Sequence, residues 1–240
     1  DSGLKTYWGR KGVWNISQSL KLAKPRAFLE NPKLAWGFQM SRMREYRNIK
    51  SHDGYKILFE WVNRYNLDYF VVTSNIDGYF QKMGFDKNKI REVHGSIHHL
   101  QCFYKCCEKV WENDVEINID EETGYAKNIP KCRYCDSMSR PNTLMFDDPN
   151  FIRTRRDKQE DRYHAFLKTV KNKKFVVIEV GAGTVVRTMR ATSEHFGRKY
   201  DNCKVIRINP EKPQIDPPHI SLKCGAMEGM TAIEQCLLKH

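Results

Sequence analysis

The clustering of cysteine is the feature that most constrains what this chain can fold into. Five of the eight cysteines lie between Cys102 and Cys135, and the other three are scattered near the end of the chain. Close pairs favour a metal site in a reducing compartment over a disulfide scaffold, which is usually smaller and richer in cysteine. Cys132 with Cys135, and Cys102 with Cys106, predict a closed, structural zinc site of four thiolates. Cys107 is the less favoured alternative to Cys106, and buried or redox-active thiols are the alternative to zinc.

The alternation of apolar runs and helical patterns predicts the rest of the fold. Three apolar runs are expected to be buried strands: 69–73, 174–180 and 204–209. The first two are continuous, which is typical of a parallel sheet covered on both faces. Helical patterns at 54–66 and 158–171 precede them, and an amphipathic segment closes the chain at 225–240. Strands that alternate with helices predict an α/β, doubly wound, Rossmann-like parallel sheet.

Two segments interrupt this alternation. Residues 14–52 are rich in Lys, Arg, Trp and Phe and look helical, and residues 102–140 carry the cysteine pairs and a polar loop. We expect these two segments to form a smaller module beside the parallel sheet.

Composition limits the class of protein and its partners. With 240 residues, 40% of them hydrophobic, the chain is long enough for one large domain with a smaller module. No run approaches the roughly 18 apolar residues of a membrane span, and no secretory signal is evident. We therefore expect an intracellular protein, cytoplasmic or nuclear. The net charge of +12 fits a solvated basic surface or attraction to acidic partners. Because the basic residues are dispersed and no nucleic-acid motif is present, direct nucleic-acid binding is not supported.

Polar residues and glycines follow the predicted strands. Asn75 and Asp77 end the first strand, Gly181–Thr184 follows the second, and Asn209 ends the third. Ligands of open α/β sheets bind outside the carboxyl ends of the strands, and a glycine turn lets backbone N–H groups approach a phosphate. The two glycines are equally consistent with a tight turn that binds no phosphate. His94 could accept a proton near pH 7, although a lone histidine is more often structural.

Taken in order, these residues resemble the sirtuins, the NAD-dependent protein deacylases. Thr73-Ser-Asn-Ile-Asp77 is similar to the family's Thr-Gln-Asn-Ile-Asp, and Glu92-Val-His-Gly-Ser96 to its catalytic histidine motif. The paired cysteines follow at the family's place. The other similar segments are Ser2–Trp14, Arg140–Phe146, Gly181–Gly183 and Ile208–Glu211.

The resemblance implies a sirtuin catalytic domain over residues 1–240, with a cleft between two parts. The large NAD-binding part would comprise about 1–13, 53–101 and 141–240. The small part would comprise the helical segment 14–52 and the zinc ribbon 102–140. The implied reaction transfers the acyl group of an acyl-lysine protein or peptide to NAD, and gives nicotinamide and O-acyl-ADP-ribose. NAD and Zn²⁺ are the implied cofactors.

The resemblance also implies roles for individual residues. His94 would deprotonate a ribose hydroxyl, with Asn75 and Asp77 as the other catalytic residues. The implied NAD-binding residues are Tyr7, Ser74, Asn75, Ile76, Asp77, Gly181, Ala182, Gly183, Asn209, Glu211, Gly225 and Ala226. The implied substrate contacts are Leu144, Phe146 and Asp148. The implied zinc ligands are Cys102, Cys106, Cys132 and Cys135.

Four departures from the family's pattern favour two alternative functions. The family's opening Gly-Ala-Gly-Ile-Ser phosphate loop is missing, so we expect the natural protein to extend N-terminally. Trp8 replaces an arginine, Ser74 replaces a glutamine, and Asp147 stands where a glycine is expected in the peptide cleft. One alternative is an ADP-ribosyltransferase or NAD hydrolase, and the other is a catalytically silent NAD-binding module.

Overall fold

The computed structural model describes residues 21–48, 50 and 52–239. The predictions for Tyr7, Trp8 and the segment 2–14 lie outside these residues. The helices are α1 (Pro25–Glu30), α2 (Pro32–Asn48), α3 (Asp53–Arg64), α4 (Tyr79–Met83), α5 (Thr154–Val170), α6 (Thr188–Lys199) and α7 (Ala226–Leu237). The strands are β1 (Val71–Thr73), β2 (Ile90–Glu92), β3 (Gly95–Cys102), β4 (Val110–Glu112), β5 (Ser139–Thr143), β6 (Phe175–Val180), β7 (Cys203–Ile208) and β8 (Ile220–Leu222).

The three apolar runs form parallel strands, as predicted. β1 pairs in parallel with β2, and β6, β7 and β8 form a second parallel sheet in that order. Within the described residues β1 and β6 do not pair with each other, but Val72 of β1 packs in the same apolar cluster as Val177 and Val205. The α/β fold class predicted from the sequence is therefore confirmed.

Helices cover both faces of the β6–β7–β8 sheet. Val177 faces the cluster that contains Tyr163 of α5 and Phe196 of α6. The next residue, Ile178, faces the cluster that contains Trp61 of α3 and Met230 of α7. Successive side chains of a strand point to opposite faces. A sheet that is apolar on both sides explains why this run is continuous rather than alternating.

The antiparallel sheet β4–β3–β5 was not predicted. Its central strand β3 contains polar residues that are nevertheless buried, so it lacks the apolar signal of a core strand. Gln101 is fully buried, and its Oε1 accepts hydrogen bonds from Asn142 Nδ2 at 2.9 Å and from the Ile152 N–H at 3.0 Å. Buried polar groups satisfied in this way are compatible with a core, but sequence periodicity does not reveal them.

The helical segment and the cysteine segment pack into one apolar cluster. Trp36 and Met40 of α2 are fully buried there with Leu100 of β3 and the cysteines Cys102 and Cys132. The Trp36 indole Nε1 also donates a hydrogen bond to the Ser139 carbonyl, at 3.1 Å. This shared cluster supports a small module built from both interruptions. The division of the chain into two parts stays a prediction.

No helix among the described residues is long and apolar enough to cross a membrane.

Candidate active site and zinc centre

Four cysteine sulfurs meet at the end of β3. The Sγ atoms of Cys102, Cys106, Cys132 and Cys135 all lie within 4.8 Å of one another. The Cys102–Cys135 and Cys106–Cys132 sulfur distances are 3.7 and 3.8 Å. Four thiolates at about 2.3 Å from a tetrahedral zinc ion lie about 3.8 Å apart. The donor set therefore fits zinc, and Cys107 is not part of it.

The backbone around the cysteines supports this geometry. Lys105 and Asp136 have φ angles of 54° and 57°, so a left-handed residue lies directly before Cys106 and another directly after Cys135. The Tyr134 N–H points at the Cys132 sulfur, at 3.4 Å. All four ligand positions are taken by protein, which makes the site closed and its role structural.

We predict that Cys132→Ser loses zinc and that Cys107→Ser keeps about one zinc per chain. Cys132 is a buried member of the four, whereas Cys107 lies beside them. Because zinc binding supplies folding free energy, Cys132→Ser should also unfold at lower temperature. Metal analysis and thermal unfolding of the two variants check this. Equal zinc content in both would contradict it.

The segment that follows β1 forms the first part of the candidate active site. The Asn75 N–H donates to Thr73 Oγ1 at 3.0 Å, and Asp77 Oδ1 accepts from the Tyr79 N–H at 3.0 Å. The Ile76 carbonyl accepts from the Ile97 N–H of β3, also at 3.0 Å. These bonds hold residues 74–77 against β3. Burial is the main cause that raises the pKa of Asp77 above its ordinary value.

His94 lies against the same segment. The Val93 N–H donates to the Thr73 carbonyl at 2.9 Å, which brings the backbone around His94 beside this segment. Burial has the largest effect on the imidazole and lowers the pKa of His94; the Ser74 backbone opposes this shift, and the positive charge of Arg156 adds to it. The imidazole is thus kept neutral to a lower pH than free histidine. These are the properties of a general base.

The Leu144–Asp148 segment begins beside His94. The Leu144 N–H donates to the His94 carbonyl at 2.9 Å. Leu144 and Phe146 are each 39% exposed, and the Phe146 N–H donates to the Ala23 carbonyl at 3.2 Å. Three segments that are far apart in sequence, around Asn75, His94 and Leu144, therefore meet at one place. The predicted roles of Leu144 and Phe146 stay predictions.

Asp148 has a structural partner. Its carboxylate makes two hydrogen bonds of 2.8 Å to the Arg140 guanidinium, and neither side chain is exposed. It also accepts from the Met145 N–H at 3.3 Å. The carboxylate is thus used to shape the segment, and only the Asp148 backbone remains for the substrate contact predicted for this residue.

The backbone conformation at Asp147 accounts for the glycine that was expected at this position. Its φ angle is 55°, in the left-handed region that favours glycine but that aspartate tolerates better than most residues. Its exposed carboxylate pairs with Lys24 Nζ at 2.6 Å. The side chain is therefore drawn towards the helical segment.

We predict that Asp148→Asn lowers the free energy of unfolding by about 3–5 kcal/mol, because it leaves the Arg140 charge buried and unpaired. Its neighbour provides the matched control. Asp147→Asn breaks only the exposed pair with Lys24 and should cost less than about 1 kcal/mol. Urea denaturation of both variants measures the difference. Equal costs would show that the buried pair does not hold this segment.

A second group of predicted residues gathers at the carboxyl ends of β6, β7 and β8. Gly181 adopts a φ of 66°, and its N–H donates to the Ile208 carbonyl at 3.0 Å. Asn209 Nδ2 donates to the Ala182 carbonyl at 3.1 Å. Its Oδ1 accepts from the N–H groups of Glu211 and Lys212, at 3.0 and 2.8 Å. Asn209 thus acts here by joining the glycine turn to the loop after β7.

The remaining predicted residues of this group lie in a turn that borders open space and at the start of a helix. Added Cβ atoms at Gly181 and Gly183 would meet nothing within 4 Å, so both glycines border open space. Gly225 is the N-cap of α7, and Ala226 is the first residue of that helix. Backbone N–H groups at such a helix start favour anions. The NAD-binding roles of these residues stay predictions.

Two residues at these sites were missed from the sequence. Tyr55 of α3 is buried, and its ring packs against the rings of Tyr79 and Phe80, just after the Asn75 segment. Arg190 of α6 donates to the Ala182 carbonyl at 3.2 Å, beneath the glycine turn. The only sequence signal for Tyr55 is an aromatic residue on the apolar face of a predicted helix, which does not distinguish a site residue from a core residue. Nothing distinguishes Arg190 from the other dispersed basic residues.

The fold and the site define a Rossmann-like α/β protein with a four-cysteine zinc ribbon. A model of the Sir2 family matches residues 1–186. The chain is 31% identical over 217 residues to an NAD-dependent protein deacylase of Thermococcus kodakarensis, which covers 90% of this chain and 78% of that protein. The chain belongs to the Sir2 family.

Solved structures share the fold. A Sir2 homologue in complex with NAD has a TM-score of 0.75 at 23% identity, and the match covers 99% of this chain and 84% of that one. Sir2 bound to an acetylated peptide has a TM-score of 0.65 at 19% identity, covering 89% and 82%. The resemblance to sirtuins predicted from the sequence is confirmed.

Proposed function

We infer that this protein is an NAD-dependent protein deacylase. The observation that carries the inference is the meeting of the Asn75, His94 and Leu144 segments, joined by backbone hydrogen bonds. Sir2 relatives that share most of this chain's length are NAD-dependent protein deacylases. The reaction moves the acyl group of a lysine to the ADP-ribose part of NAD and releases nicotinamide.

Different groups of residues bind different parts of NAD. Ser74–Asp77 hold the nicotinamide end of NAD, and the glycine turn 181–183 with Asn209, Glu211 and the start of α7 holds its adenosine end. His94 accepts a proton from a ribose hydroxyl. Burial lowers the pKa of His94 and so keeps the ring neutral and able to accept that proton. The zinc site lies in the small module and supplies structure, not chemistry.

The acyl-lysine substrate is a protein or peptide that adds as a strand along Leu144–Asp148. Strand addition uses main-chain hydrogen bonds for affinity and exposed side chains for selection. This segment is half-exposed, and it is held in place by the ion pair of Asp148 with Arg140 and by the hydrogen bond from the Phe146 N–H to the Ala23 carbonyl. A Sir2 protein of the same fold has been solved with an acetylated peptide, which supports this class of substrate.

Nicotinamide release from NAD tests the function directly. We expect release to require an acetyl-lysine peptide, and to fall by about a hundredfold or more in His94→Ala because the general base is lost. His164→Ala, on an exposed face of α5, is the matched control and should retain activity. Release without peptide would favour NAD hydrolysis or ADP-ribosyl transfer. No release of nicotinamide from the folded, zinc-loaded protein would favour the catalytically silent NAD-binding module.

The pH dependence of kcat/KM for NAD tests the role of His94 independently. A lowered pKa keeps the imidazole neutral, and able to accept a proton, below its ordinary value of 6.5. The acidic limb of the profile should therefore lie below pH 6.5. Arg156→Gln removes a positive charge that lowers this pKa, so the limb should move to higher pH. A limb that stays in place or moves to lower pH would contradict the assignment.

A further inference from the structure

Arg190 joins the two loops that follow β6 and β7. One of its guanidinium nitrogens, Nη2, donates both to the Ala182 carbonyl at 3.2 Å and to the Lys212 carbonyl. Ala182 lies in the glycine turn, and Lys212 lies in the loop that Asn209 organises. A single charged nitrogen therefore links the glycine turn to the loop through hydrogen bonds to both.

The position of Arg190 is unfavourable for a cation in two respects. The side chain is 6% exposed, and burial of a charge without a counter-ion costs free energy. Arg190 is also the third residue of α6, in the first turn, where the helix dipole disfavours positive charge. Local structure and packing alone therefore do not account for an arginine here.

The nearest carboxylates attract this charge but make their direct contacts with Arg207 instead. Glu179 binds Arg207 through two hydrogen bonds of 2.6 and 2.8 Å, and Glu194 accepts from Arg207 at 3.1 Å. Within the described part of the chain Arg190 has no ion pair, and its Nε is buried without a hydrogen-bond partner. A buried arginine bonded directly to carbonyls rather than to a carboxylate thus lies next to the glycine turn.

We propose that Arg190 is a positioning residue for NAD, which holds the glycine turn and the 209–212 loop in the conformation that binds the cofactor. This inference rests on the proposed function, which places NAD at these loops. The need to join these two loops explains why an arginine stands in the first turn of this helix. Arg190 does not touch the reacting atoms, so its effect is on cofactor affinity.

The test compares Arg190→Met and Arg190→Lys with Arg198→Met, an exposed arginine farther along α6. Calorimetric titration with NAD, without peptide, measures affinity in the absence of turnover. We expect Arg190→Met to weaken NAD binding by about 10- to 100-fold, the loss expected for charge-assisted hydrogen bonds. Arg190→Lys keeps a charged nitrogen that can reach a carbonyl, so its loss should be intermediate. Arg198→Met should bind as the wild type does.

Two further readouts separate positioning from a merely structural role. With NAD and an acetyl-lysine peptide, KM for NAD should rise in Arg190→Met, while kcat and KM for the peptide stay within about twofold, because only cofactor binding changes. In hydrogen exchange without NAD, the amides of Gly181, Glu211 and Lys212 should exchange faster in Arg190→Met only. These amides carry the bonds that organise the two loops.

The outcomes are distinct. Faster exchange together with weaker NAD binding establishes the role. Faster exchange with unchanged NAD affinity would make Arg190 purely structural and overturn the inference. Unchanged exchange, or parallel losses of affinity for NAD and peptide, would also overturn it. If the folded wild-type protein does not bind NAD at all, the proposed function fails first, and the inference falls with it.

Discussion

The pairing of β3 with β5 is the interaction on which both the zinc centre and the candidate active site depend. β3 begins directly after His94 and ends at the zinc ligand Cys102, and β5 runs from Ser139 to the start of the substrate segment. Gly95 makes this pairing possible, since its φ is 75° and an added Cβ would lie 2.0 Å from the Asn142 carbonyl oxygen. The two strands therefore connect the four-cysteine site at one end with His94 at the other. Zinc bound at these cysteines would hold the strands that position His94.

Buried charges hold the loops around the site in place. Each of three arginine–carboxylate pairs lies where a strand gives way to a functional segment: Arg140–Asp148, Arg155–Glu92 and Arg207–Glu179. Burying such pairs contributes little net stability, but removing one partner costs several kcal/mol. Their value here is geometric, because each pair fixes a loop that packing alone would leave variable. Arg190 differs from these arginines in that, among the described residues, it makes no direct ion pair and bonds only to carbonyls.

The elements predicted from the sequence are those whose signals are local. Continuous apolar runs identified β1, β6 and β7 to within about two residues, because a strand covered on both faces needs apolar residues throughout. The C-x2-C spacing identified the zinc site, since metal geometry restricts which ligands can meet. Its position at the end of a predicted strand singled out Asn75, and the resemblance to a known family assigned the catalytic roles of Asn75 and His94.

The features that escaped prediction depend on contacts between distant residues. β3 is polar in sequence, yet Gln101 is buried because Asn142 and Ile152 satisfy it. Asp148 seemed available to a substrate, but Arg140 occupies its carboxylate. Asp147 stands where a glycine was expected, and the sequence showed neither its left-handed backbone nor its ion pair with Lys24.

The identity of the acyl acceptor tests the central claim most directly. Mass spectrometry of the products formed from NAD and an acetyl-lysine peptide shows where the acetyl group goes. If the three convergent segments form a deacylase site, the peptide loses its acetyl group and ADP-ribose gains it, with nicotinamide released in equal amount. Free acetate with unmodified ADP-ribose, or ADP-ribose attached to the peptide, would contradict the account and assign the site to a different reaction of NAD.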